Sequence, residues 1–144
     1  MTTREQAIGA LLTLLTSTGI FPKYGRRLRD TESIPAASTP ALYIKTSHEE
    51  YERPNITLPP IRHIHVEAFI YIDVGTDENA VPDVVLNTIN DQIDALMAPD
   101  DLRSGRLTLG GLVTSAMIRG KVERAAGDVT GKGVLIIPIE IVIP

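Results

Sequence analysis

The sequence predicts an α+β domain in which a mixed, mostly antiparallel four-stranded sheet carries two helices packed on one face. Three observations predict it. The stretch Arg62–Val74, RHIHVEAFIYIDV, alternates with period two. Ile64, Val66, Ala68, Ile70, Ile72 and Val74 fall on one face, and His63, His65, Glu67, Phe69, Tyr71 and Asp73 on the other. The closing run Val134–Ile143, VLIIPIEIVI, is apolar almost throughout. Two further stretches, one at about residues 4 to 18 and one from Pro82 to Met97, repeat their apolar residues at helical intervals. Burying one large aliphatic side chain is worth roughly 1.5 to 3 kcal/mol, so the dry face of Arg62–Val74 fixes its register. A slip by one residue would bury two histidines, a glutamate and an aspartate instead. Such a sheet needs an amphipathic cover, and the two helices supply it.

Taken in order, Thr3 followed by Gln6 has the spacing of a capping box. Ile8, Leu11, Leu12 and Leu15 then recur at helical intervals until Gly19 supplies a stop, and Leu14 widens the stripe. Lys23, Arg26, Arg27 and Arg29 form the sharpest local charge feature. The TESIPAASTP stretch that follows is a loop punctuated by Pro35 and Pro40. Ala41–Thr46, ALYIKT, reads as a strand. Between it and Arg62–Val74 come charges and then PNITLPP, in which Pro59 and Pro60 cannot donate ladder hydrogen bonds. Plain hairpin loops span about 2 to 5 residues, so a protruding arm or a loop is expected at about 47–61.

After Val74, GTDENAVPD supplies turn and cap residues, with Pro82 suited to the first turn of a helix. Val85, Ile89, Ile93 and Leu96 form the stripe of that helix, with Val84, Leu86 and Met97 beside it and Pro99 as the stop. Asp91 and Asp94 lie off the stripe, with no histidine or third carboxylate on their face. Leu112–Glu123, LVTSAMIRGKVE, alternates loosely and reads as the third strand. In the closing strand Leu135, Ile137, Ile139, Ile141 and Ile143 form the drier face, while Pro138 removes one donor and pushes the strand toward an edge or a bulge. Its other face, Val134, Ile136, Pro138, Glu140 and Val142, is more apolar than solvent alone would justify, so another subunit is expected to cover it.

With 144 residues, 43% of them hydrophobic, the chain is read as a single domain spanning 1–144 with one core. A net charge of -4 gives no global basic field of the kind that drives nonspecific nucleic-acid binding. Aromatic residues at 4% with no Trp leave little for stacking single-stranded bases. There is no cysteine, which removes disulfides, thiolate metal sites and thiol nucleophiles together. MTTREQA lacks the basic start and apolar run of a signal peptide, and no apolar stretch approaches the ~18 residues of a membrane span, so the chain is read as soluble and intracellular.

Few constellations carry chemistry. His63 and His65, two apart on a strand, project from one face, the minimal geometry for a two-histidine metal pair. The third ligand is missing from any recognisable motif, and His48 or Glu67 would have to be recruited by the fold. GDVTGKG, with Gly127, Gly131, Lys132 and Gly133, resembles a phosphate loop but has three residues where the Walker spacing needs four, and it leads into a strand. A hairpin turn accounts for it. With no G-x-S-x-G elbow, Ser/His/Asp arrangement or carboxylate pair, the expectation is no enzyme, no catalytic residue, no cofactor and no metal.

The order of elements, together with TPALYIKTSHEEYER, RHIHVEAFIYIDV, VPDVVLNTINDQIDAL, TLGGLVTSAMIRGKV and the closing apolar strand, resembles the tail terminator or tail completion proteins of long-tailed bacteriophages, the minor tail protein U type. The resemblance covers about residues 4 to 143, with TLGG at Thr108–Gly111 as its most local signature. It implies a virion protein, assembled in the host cytoplasm, that forms a homohexameric ring at the head-proximal end of the tail tube. There the ring would stop tube polymerisation and offer a head-tail joining surface. Its implied partners are further copies of itself, the tail tube protein and the head-side connector or neck protein, with no membrane. DNA would pass through the ring without sequence-specific binding, and the acidic balance suits such a hole, since a basic lumen would hold phosphates. Interface residues in such a family are surfaces rather than motifs. Arg26, Arg27 and Arg29 are the first candidates for an intersubunit or tube-facing patch, and Glu49, Glu50, Glu52 and Arg53 of the arm are the second. Gly110 and Gly111 are read as backbone devices ahead of the third strand.

Other readings remain. A head-closure or neck connector protein of the same virion is also small and mixed in structure, a small metal-dependent enzyme would use His63 and His65, and a ligand-binding module would need a pocket.

Overall fold

Thr3 starts helix α1 (Arg4–Thr16) with a complete capping box: its hydroxyl accepts from the Gln6 N–H at 3.2 Å, and its own N–H donates to Gln6 Oε1 at 2.8 Å. Ala7, Ile8, Leu11 and Leu15 are buried, while Leu12 and Leu14 are half-buried beside them. Gly19, at φ 73, ends the turn with its N–H on the Thr16 carbonyl. Residues 1–125 and 127–144 are described by the structure, a computed structural model.

The strands are β1 (Lys23–Gly25), β2 (Ala41–Glu52), β3 (Ile61–Asp73), β4 (Ser115–Ile118), β5 (Glu123–Ala125) and β6 (Lys132–Ile143). The sheet therefore has six strands rather than the four expected, in the order β1-β2-β3-β6-β4 with β5 also on β6. It is mixed because β1 runs parallel to β2, and all other pairs are antiparallel. Strand β1 escapes a sequence reading because three residues between Pro22 and Arg26 show no periodicity. Strand β2 outruns the expected Ala41–Thr46 because its outer half is polar on both faces, which leaves no alternation to read.

The central strands β3 and β6 pair from Arg62 opposite Ile143 to Asp73 opposite Lys132. Contrary to expectation, Pro138 does not push β6 to an edge, and the irregularity falls on its neighbour. On the side away from β3, β4 and β5 pair with successive segments of β6, and the expected single strand Leu112–Glu123 is broken between them. The Arg119 N–H donates to the Pro138 carbonyl at 3.1 Å, but the return bond needs a donor that proline lacks. Gly120 then turns the chain at φ 119 against the Pro138 ring, where a Cβ would lie 3.3 Å from Pro138 Cγ.

Helix α2 (Pro82–Leu96) has Pro82 in its first turn and buries Pro82, Leu86, Ile89 and Ile93, so Ile89 and Ile93 of the expected stripe enter the core while Val85 and Leu96 stay half-buried. Both helices pack on the sheet face that carries Leu42, Ile44, Ile64, Val66, Ala68, Ile70 and the odd-numbered residues Leu135 to Ile143. The opposite face holds a second, smaller cluster, in which Ile34 of the 26–40 loop covers Ala41, Tyr43 and Tyr71, with Leu28, Phe69 and Val134 alongside. Part of the far face is thus covered by this chain's own loop. Ile136, Pro138 and Val142 remain half-buried.

Candidate functional site

Two groups of residues nominated from the sequence meet at the first turn of α1. Arg26 Nη1 lies 3.0 Å from Glu5 Oε2, and the adjacent Arg4 takes Glu49 through Nε at 2.6 Å and Nη2 at 3.0 Å. The same Arg4 Nη2 donates to the Tyr51 hydroxyl at 2.8 Å. Their hydrogen bonds to arginine hold the Glu49 and Glu5 carboxyls below the ordinary range and raise the Arg4 guanidinium. Arg27 and Arg29 are exposed beyond this contact. The expected 47–61 arm or loop divides in two. Residues 47–52 continue β2 against β3, and residues 53–60, including Arg53, form an exposed hairpin tip. There Asn55 Oδ1 accepts from the Thr57 N–H at 3.0 Å and its hydroxyl at 2.9 Å, which closes the turn. Ile56 is 89% exposed and Leu58 54% exposed at this tip.

On the far face at the root of the hairpin, a β-bulge decides what meets. Strict alternation from Lys45, which opposes Glu67, would put Ser47 opposite His65 and turn His48 to the helix side. Instead Thr46 opposes Val66, Ser47 is the extra residue, and His48 opposes His65. The two imidazoles stack with centroids 4.2 Å apart and planes at 10°. Ser47 Oγ is 3.0 Å from His48 Nδ1, and His48 Nε2 is 3.7 Å from Glu50 Oε1. His63, the other member of the sequence pair, turns instead to Glu52, with Nε2 2.8 Å from Oε2.

Glu140 completes the cluster from β6. It is 4% exposed, with Arg119 Nη1 at 3.1 Å, His65 Nε2 at 3.6 Å and His63 Nδ1 at 3.7 Å. Sequence reasoning nominated neither Glu140 nor Arg119. The signal for Glu140 was present, since a lone carboxylate inside an apolar run needs a partner, whereas Arg119 becomes that partner only through the break opposite Pro138. Among the described residues, His65 Nε2 is buried without a hydrogen-bond partner, as is the Tyr43 hydroxyl.

A cavity of about 540 Å³ opens between α1, at Ala10, Thr13, Leu14 and Ser17, and the segment from Leu96 to Gly110. It is largely apolar. Its one charged lining residue, Asp100, is spent on the TLGG turn: Oδ1 accepts from the Thr108 N–H at 2.7 Å and hydroxyl at 2.9 Å, and Oδ2 from the Gly110 N–H at 3.0 Å. Those backbone donors, Gly110 first, lower the Asp100 carboxyl. They hold Leu109, Gly110 and Gly111 at positive φ, so the two glycines do set backbone geometry. The GDVTGKG stretch turns β5 into β6, with the Gly131 N–H on the Gly127 carbonyl. No protein-family model and no curated protein matches this chain.

Proposed function

We propose that this chain is a structural virion protein of the tail-terminator type. It forms a homohexameric ring on the head-proximal end of a phage tail tube, stops tube polymerisation and offers the joining surface for the head-side connector or neck protein. The observation that carries the reading is the hairpin. Its tip holds Ile56 and Leu58 in water, and its root is tied to the first turn of α1, where the Arg26 patch is tied as well. Exposed aliphatic residues on an ordered projection gain by meeting another surface. The half-buried Ile136, Pro138 and Val142 of the far face offer a second apolar strip. The succession of α1, β1, β2, β3, α2 and the closing strands β4 to β6 supports the reading. This is a binding function, in which no step of chemistry is required of any side chain.

The experiment is electron microscopy of particles made when the gene is disabled in its own genome. Overlong tails of variable length, detached from heads, support the terminator reading. Tails of normal length beside unattached heads move the protein to the head-closure or neck class, and intact infectious virions overturn the structural reading.

A further inference from the structure

The far face at the root of the hairpin carries a site that does not rest on the assembly reading. We propose that it binds one late first-row divalent cation, of which zinc is the first to test, through His48, Glu50 and His65. One ligand atom from each of these residues lies within 4.8 Å of the other two. Two imidazoles and a carboxylate form a donor set that zinc favours, with a fourth position left for water, whereas magnesium and calcium call for oxygen ligands throughout.

Three features point to a ligand rather than to a chance cluster. The Ser47 bulge brings His48 onto the face of His65, and bulges re-aim side chains in this way at functional positions. With Ser47 Oγ, 3.0 Å away, accepting from His48 Nδ1–H, Nε2 keeps its lone pair, the tautomer that a metal at Nε2 requires. His65 Nε2 is buried with no hydrogen-bond partner among the described residues, and Glu140 Oε2 at 3.6 Å is too distant to serve. A buried imidazole nitrogen left unpaired is costly, and a cation would satisfy it.

Loading the site requires a defined movement. Zinc with bonds of about 2.0 to 2.2 Å holds its donors roughly 3.3 Å apart, so the three side chains must draw inward. A metal also lies in the plane of each imidazole it binds, and two rings stacked at 10° cannot share such a point. One ring must turn. His48 is the one free to do so, with 55% of its side chain exposed against 22% for His65. Loss of the ring stack is therefore a signature of binding at this site.

The test is calorimetric titration of tag-free, chelator-treated protein with zinc sulfate. Expected is saturable binding of one zinc per chain, weakened about tenfold or more in His48→Gln, His65→Gln and Glu50→Gln and changed less than about threefold in His63→Gln. His48 and Glu50 lie exposed outside the core, so those variants keep the fold, which circular dichroism checks. Nitrogen-edited NMR of the imidazoles should show the His48 and His65 ring nitrogens shifting together on zinc addition while His63 stays in place. Absence of saturable binding, undiminished binding in His48→Gln, or loss in His63→Gln alone overturns the proposal. Equal binding of magnesium or calcium overturns it as well.

Discussion

Replacing Arg119 with Met should destabilise the protein far more than its exposed position suggests. Arg119 has 64% of its side chain in water, and a surface ion pair is worth about 0 to 1 kcal/mol. Its partner is different. Glu140 is 4% exposed, and removing one member of a buried pair costs about 3 to 5 kcal/mol because an uncompensated charge stays behind. The pair lies between these limits, so Arg119→Met should cost about 2 kcal/mol. In a chain of this size that lowers Tm by about 4 to 8 °C. The sign of the second step is the sharper test. Adding Glu140→Gln removes the stranded charge, so the double variant should regain about 1 kcal/mol over Arg119→Met alone. Urea unfolding of the two single variants and the double variant measures all three values. A loss below about 0.5 kcal/mol for Arg119→Met, or a double variant no more stable than Arg119→Met, would refute the reasoning.

Arg26→Glu with Arg27→Glu should leave circular dichroism and Tm within the range of ordinary surface changes, since only the exposed Arg26–Glu5 pair is lost, yet abolish rescue of tail assembly in a gene-disabled phage. Full rescue removes the patch from the proposed interface. Gly120→Ala should cost about 1 to 3 kcal/mol in urea unfolding, because alanine meets both φ 119 and the Pro138 ring 3.3 Å away. Acid should weaken the fold modestly through Glu5, Glu49 and Asp100, whose folded carboxyls are all lowered. Groups so shifted stabilise fully above their unfolded values of about 4 and lose that contribution as pH falls through the folded values. The urea midpoint should therefore fall as pH is lowered below the unfolded carboxyl values, and less steeply in Asp100→Ala, where that carboxylate is gone. Equal slopes in the two proteins would contradict the role given to Asp100.

The α+β class, the capping box at Thr3, the face of β3 that enters the core and the run of β6 were all legible because each rests on a repeat or a local cap. What was not legible rests on events that periodicity does not register. Strand β1 is too short to show a period, and β2 continues past Thr46 without an apolar face. The third strand breaks because of a proline on its neighbour, which is a statement about pairing rather than about its own residues. The polar cluster shows the same limit. His63 and His65 were visible as a pair, but one inserted residue at Ser47 puts His48 opposite His65 and Glu50 opposite His63 on the same face, while the His63 ring turns to Glu52. A bulge carries no strong composition of its own, so a reading by strict alternation assigns every residue beyond it to the wrong face.

The same bulge ties the two proposals into one physical picture. Past Ser47, the helix-side residues of β2 are Glu49 and Tyr51, both held by Arg4, and the far-side residues are His48, Glu50 and Glu52, set against His65 and His63. From below, Arg62 donates to the Thr2 carbonyl at 3.4 Å and to the Pro144 carbonyl at 3.0 Å. Each exposed contact is worth little alone, so together they add little to global stability. Their effect is on order. They hold both faces of the hairpin root in one geometry, which would lower the entropy lost if, as proposed, a partner covers the tip at Ile56 and Leu58. A cation across His48, Glu50 and His65 would add a third tie at the same root, making the tip's orientation depend on metal supply without a change in any residue that meets the partner.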